Sequence, residues 1–80
     1  MHMINKEKYM AKLQSILNEI YPDSETYRKM NYYAVETRVC KQMTEYVITT
    51  YAPYYEGHTK ALISENAALL KTCLNELGVR

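Results

Sequence analysis

Tyr9, Met10, Leu13, Ile16, Leu17, Ile20 and Tyr21 recur at intervals of three and four residues. At 3.6 residues per helical turn all seven fall on one side. Lys8, Lys12, Ser15, Asn18 and Glu19 fall on the other. The same spacing returns near the end of the chain, where Leu62, Ile63, Leu69, Leu70, Cys73, Leu74 and Leu77 oppose Glu65, Lys71, Thr72, Asn75 and Glu76, with Gly78 as a helix stop. Two amphipathic helices are therefore expected, over about 5–21 and 59–77.

Two breaks bound them. Tyr21-Pro22-Asp23-Ser24 cannot continue a helix, and Asp23 or Ser24 can cap the next one, with Glu25 in its first turn. Ala52-Pro53-Tyr54-Tyr55-Glu56-Gly57-His58 is the second break. Between them, residues 24–51 carry a stripe of Tyr32, Val35, Val39, Cys40, Met43, Tyr46, Val47 and Tyr51, while Tyr27, Met30 and Ala34 point elsewhere. That phase change predicts a kink or break near Asn31. The stretch EYVITTY, 45–51, has strand-like composition, but a single strand would have no sheet to join, so helix is preferred.

Eighty residues make one domain, 1–80. Three helices with short connections predict an all-α, up-down-up three-helix bundle in which helices two and three form an antiparallel hairpin. That pairing brings Cys40 near Cys73. Helix axes lie about 8–10 Å apart and a disulfide needs Cα atoms within about 7 Å, so reduced core thiols are favoured over a strained bridge. Met1-His2-Met3 reads as a cloning remnant, and His2 is left out of any chemistry.

Hydrophobic residues make up 48% and charged residues 24%, with a net charge of +1. The balance indicates a folded chain and gives no global pull toward nucleic acid or membrane. No apolar run approaches the ~20 residues that cross a bilayer, and no signal-peptide pattern is present. Two distant cysteines are too few for a disulfide framework, which points to the cytoplasm.

Two polar residues interrupt the apolar faces. Glu36 lies in the helix-two stripe, where it reads as a general base or recognition carboxylate, or as a structural acid bonded to tyrosine hydroxyls or a lysine stem. The structural reading is favoured because no second catalytic group lies near it. Asn66 lies in the helix-three stripe, as a register device for self-association or as a local partner of Tyr46 or Thr50. The apolar faces of helices two and three are broad enough to suggest a homodimer.

The aromatic complement is nine tyrosines with no Phe and no Trp. Tyrosine is enriched at interfaces, where its ring is covered and its hydroxyl stays polar. In the expected bundle the second turn shares an end with the start of helix one. That end would collect Tyr9, Tyr51, Tyr54 and Tyr55 with Lys6, Lys8, His58 and Lys60, beside the N-terminus of helix three. Such a cluster suits a protein hot spot, or base stacking with phosphate binding. The competing reading has Tyr51 in the core, Tyr54 and Tyr55 over the turn, and Thr59 as a cap.

Zinc spacing, a nucleophile–base–orienter set and a phosphate loop are all missing. Lys41 with Glu45 and Glu25 with Lys29 are spaced as helix-supporting pairs on a solvated face. No enzyme activity, metal or cofactor is expected. The sequence points to a small non-catalytic interaction module, an adaptor or a stoichiometric inhibitor of accessory or phage type. It would bind a larger protein through Tyr51, Tyr54, Tyr55, His58, Lys60 and Tyr9. The alternative is nucleotide or single-stranded nucleic-acid binding at the same end.

Overall fold

The computed structural model of the chain describes residues 4–79. The proposed remnant at 1–3 lies outside the described residues. The fold is all-α: α1 (Lys6–Ile20), α2 (Ser24–Arg28), a 3-10 turn at Tyr32–Ala34, α3 (Thr37–Tyr51), a second 3-10 turn at Ala52–Tyr55, and α4 (Thr59–Glu76). The strand alternative for 45–51 is replaced by the last two turns of α3.

Each boundary has a local cause. The Asn5 side chain accepts from the Lys8 N–H at 3.0 Å and starts α1. Asp23, the expected cap, accepts from the Thr26 N–H at 3.0 Å and starts α2. Asn31 does the same for Ala34 at 3.0 Å. Asx side chains offer the backbone a turn in place of helix, and the predicted break near Asn31 is the result. Val35 and Glu36 then stay extended before α3 begins. At the far end Gly78 adopts φ +95°, and the Gly78 and Val79 N–H groups bond to the carbonyls of Asn75 and Leu74 at 3.0 and 2.9 Å. This left-handed cap tucks Val79 into the core.

Helix α3 is the centre of the bundle, with α1 and α4 both packed on it. The Asn5 N–H donates to the Tyr51 hydroxyl at 3.1 Å, and the Glu36 N–H donates to the Tyr21 hydroxyl at 3.3 Å. These two bonds tie opposite ends of α1 and α3 together, so the pair is antiparallel. The short second turn makes α3 and α4 antiparallel as well. The core is Tyr9, Leu13, Ile16 and Leu17 from α1, Val39, Met43, Val47 and Tyr51 from α3, and Leu62, Leu70, Cys73 and Leu74 from α4, closed by Tyr27, Val35 and Val79. Each fully buried leucine contributes about 1.5–3 kcal/mol by leaving water. Cys40 and Cys73 are free thiols, and burial pushes the Cys73 thiol up from its ordinary pKa.

One polar chain crosses this core. The Tyr9 hydroxyl donates to Asn66 Oδ1 at 2.8 Å, Asn66 Nδ2 donates to Thr44 Oγ1 at 3.0 Å, and the Thr44 hydroxyl donates to the Cys40 carbonyl at 2.8 Å. Asn66 is therefore buried as expected, 3% exposed, but its partners are Tyr9 and Thr44 and not Tyr46 or Thr50. Tyr46 turns toward Tyr51 instead, and Thr50 faces solvent. Burial pushes the Tyr9 hydroxyl well above its ordinary pKa. Among the described residues no buried side-chain nitrogen or oxygen lacks a partner.

Candidate functional site: the tyrosine turn and the groove beside it

The second turn is built from strained and ordered pieces. Pro53 sits at the start of the 3-10 segment, where its fixed φ suits a helical turn. Glu56 and Gly57 then take φ values of 47° and 88°. The pair of left-handed residues reverses the chain and delivers it to α4. The His58 N–H closes the turn on the Tyr55 carbonyl at 2.8 Å. Thr59 is the first residue of α4 and not its cap; His58 holds the cap position without a side-chain cap bond.

The tyrosines divide by depth. Tyr51 is 7% exposed, and its hydroxyl accepts from the Asn5 backbone. Tyr55 is half-buried, with its hydroxyl on the Glu65 carboxylate. Tyr54 is 63% exposed. Its two neighbours anchor the turn on α1 and α4, so the exposed ring stands on backbone held from both sides. His58 and Lys60 are exposed at the head of α4.

Two expected members leave the site. Tyr9 is completely buried and bonded to Asn66, so it presents no surface to a partner. Lys6 reaches the last turn of α4, where its ammonium lies 2.9 Å from a Glu76 carboxylate oxygen. That hydrogen bond and the opposite charge raise the Lys6 pKa.

Glu36 is also corrected. It is exposed at the N-cap position of α3, with its carboxylate 3.5 Å from Arg38. A helix running unbroken through residue 36 would have placed it in phase with Val39 and Met43. The extended residues before Thr37 cancel that phase. Among the described residues no group of three His, Cys, Asp or Glu side chains could hold a metal ion, and no helix is long and apolar enough to cross a membrane.

Tyr54 opens onto a groove between α1 and α3. One section, about 360 Å³, is lined by Asn5, Lys8, Tyr46, Thr50, Tyr51 and Tyr54. A second, about 560 Å³, is lined by Lys12, Lys41, Gln42, Glu45, Tyr46, Thr49 and Thr50. The sections share Tyr46 and Thr50, so they adjoin along α3 and together make up a shallow, open channel, with Tyr54 and Lys8 on one section and Lys12 and Lys41 on the other. Neither His58 nor Lys60 lines it. The Tyr46 ring meets Tyr51 edge-on at 6.3 Å and 89°, and the Lys12 ammonium stands 6.0 Å from its centroid. Burial, with Tyr51 adjacent, raises the Tyr46 pKa.

Sequence reasoning missed Lys12, Lys41 and Tyr46 as parts of one surface. The signal was present in Lys8 and Lys12, one turn apart on the polar side of α1. Only the packing of α1 on α3 adds Lys41 to them. Lys41 and Glu45 do not close to an ion pair, nor do Glu25 and Lys29, among the described residues. Tyr33, 90% exposed with its ring edge-on to Tyr32 at 5.6 Å, was also not anticipated. No protein-family model, curated protein or solved structure matches this chain.

Proposed function

We propose that this chain acts by binding, as a small non-catalytic adaptor or stoichiometric inhibitor of a larger protein in the reducing cytoplasm. The observation that carries the reading is Tyr54. It is a large amphipathic ring, 63% exposed, on a turn fixed by Tyr51 to α1 and by Tyr55 to α4. A ring on ordered backbone loses little conformational freedom when a partner covers it, which is why tyrosine is favoured at binding hot spots. Tyr55, His58 and Lys60, which follow it through the turn into the head of α4, are the proposed rim.

Native mass spectrometry of the protein drawn gently from its own host tests this. A second protein chain that accompanies the wild type and is lost from Tyr54→Ala supports the turn as the contact. A partner that binds Tyr54→Ala as well as wild type refutes it. The same spectrum reads a homodimer directly.

The second reading, nucleotide or single-stranded nucleic-acid binding, is favoured by one observation: three lysines line the channel onto which Tyr54 opens. It requires an affinity that falls steeply with salt. An added mass matching a nucleotide, in place of a protein chain, would select it.

A further inference from the structure

The geometry points to an acidic, extended peptide segment as the occupant of the α1–α3 channel, lying from Tyr54 toward Lys41. This rests on the binding reading above and names the chemistry of the partner. Lys8, Lys12 and Lys41 line the channel against one carboxylate, Glu45. Among the described residues two cations form ion pairs within the chain, Lys6 with Glu76 and Arg38 with Glu36. Among the described residues none of the three channel lysines forms an ion pair. An anionic segment supplies the missing charges, and charge complementarity of this kind sets both encounter rate and partner choice.

The lining selects among anionic partners. An amphipathic helix docks its apolar face on an apolar floor, but this floor carries Gln42, Thr49 and Thr50. Hydroxyl and amide groups instead suit the free backbone N–H and C=O groups of an extended chain. Single-stranded nucleic acid needs successive ring faces for its bases. Tyr46 is only partly exposed, with Tyr51 packed against it at an interplanar angle of 89° and the Lys12 ammonium 6.0 Å from its centroid. Of the three rings on the channel, Tyr54 is the most exposed, so a run of stacked bases has one well-exposed platform. Length and spacing also agree. The ten steps from Lys41 to Tyr51 in α3 and the three through the 3-10 turn to Tyr54 cover at most about 21 Å at about 1.5 and 2 Å per residue, which about six extended residues span at about 3.3 Å each. Lys8 and Lys12, one turn apart, stand about 6 Å apart along α1. Alternate side chains of a strand repeat at about 6.6 Å on one face.

Fluorescence anisotropy tests this with three labelled probes: a peptide of about ten residues alternating Glu with Ser, its Gln-Ser counterpart, and an oligothymidylate of similar length, where about six peptide residues fill the channel. The Glu peptide is expected to bind at least about tenfold more tightly than the Gln peptide, and to weaken as salt is raised. Three lysines at surface-pair strength account for about that factor. The triple variant Lys8→Gln, Lys12→Gln, Lys41→Gln should remove the difference with an unchanged thermal midpoint. Lys41→Glu alone, which leaves α1 intact, should weaken the Glu peptide at least about threefold. Equal binding of the two peptides, no loss in the lysine variants, or tighter binding of the oligothymidylate overturns the inference. The natural partner separates it from the reading it rests on. Loss with Tyr54→Ala but retention by the triple variant sinks the acidic segment and leaves the turn. Loss with the triple variant but retention by Tyr54→Ala sinks the turn and leaves the channel.

Discussion

The buried polar chain makes a quantitative prediction. Tyr9→Phe removes the hydroxyl that donates to Asn66 Oδ1 at 2.8 Å, inside a core where Tyr9 is 0% and Asn66 3% exposed. The lost hydroxyl leaves a buried amide oxygen without its donor, a penalty of about 1–3 kcal/mol. Asn66→Leu is cushioned. The Tyr9 hydroxyl already lies 3.2 Å from the residue-66 backbone carbonyl, and Thr44 keeps its bond to the Cys40 carbonyl. That substitution should cost about 1 kcal/mol, the net worth of an ordinary hydrogen bond. Making both changes removes donor and acceptor together and leaves an apolar contact. The double variant should then be no less stable than Tyr9→Phe alone, a coupling of about 1–2 kcal/mol. Urea unfolding followed by far-ultraviolet circular dichroism measures all four corners of the cycle. In a domain of this size about 2 kcal/mol displaces the thermal midpoint by about 10 °C, well outside error. If the two costs simply add, the hydroxyl and the amide are not each other's partner in solution, and the account of the core is wrong.

Three further outcomes are expected. Stability should fall at alkaline pH: Cys73 and Tyr9 have pKa values raised above their ordinary 9.0 and 10.0 by burial, so their contribution is full below those values and is lost as pH climbs from about 9 toward the folded-state values. The pH dependence of the urea midpoint reads this, and Tyr9→Phe should flatten the part above about pH 10. Tyr54→Ala should change stability by no more than about 0.5 kcal/mol, and a larger loss by thermal melting would mean that the ring is packed. Gly57→Ala meets no neighbour within 4 Å but must hold φ at +88°, so it should lower stability by about 1–2 kcal/mol; an unchanged thermal midpoint would show that the turn adopts another backbone.

The three long helices were legible because each writes its buried face at helical spacing over four turns or more. Leu13, Ile16 and Leu17 on α1 and Leu70, Cys73 and Leu74 on α4 are both the pattern and the core. The middle of the chain was legible only in outline. A phase change located the break near Asn31, but periodicity cannot say how many residues a break consumes. The extended stretch through Val35 and Glu36 follows from one cap at Asn31 and one apolar side chain turning inward. Glu36 was misplaced for that reason alone. Ile63 fails in a milder way: it belongs to the apolar arc of α4 yet is 42% exposed, because α3 covers only part of that arc.

The site was harder, since it depends on which side chains keep their rings in water. Sequence treats Tyr9, Tyr51, Tyr54 and Tyr55 alike, and the fold gives them different work. Tyr9 and Tyr51 carry hydroxyls to buried or half-buried partners that a phenylalanine would leave unpaired. The absence of phenylalanine then has a partly structural explanation: Tyr9, Tyr21, Tyr51 and Tyr55 all use their hydroxyls to fasten one element to another. Those four residues need no partner to account for them. Tyr33 and Tyr54 do not share that explanation, because both rings stand largely in solvent. Of the two, Tyr54 alone lies against a channel bearing uncompensated positive charge. The tyrosine content at first suggests one adhesive end, but once the fastening hydroxyls are set aside it narrows to a single ring beside three lysines.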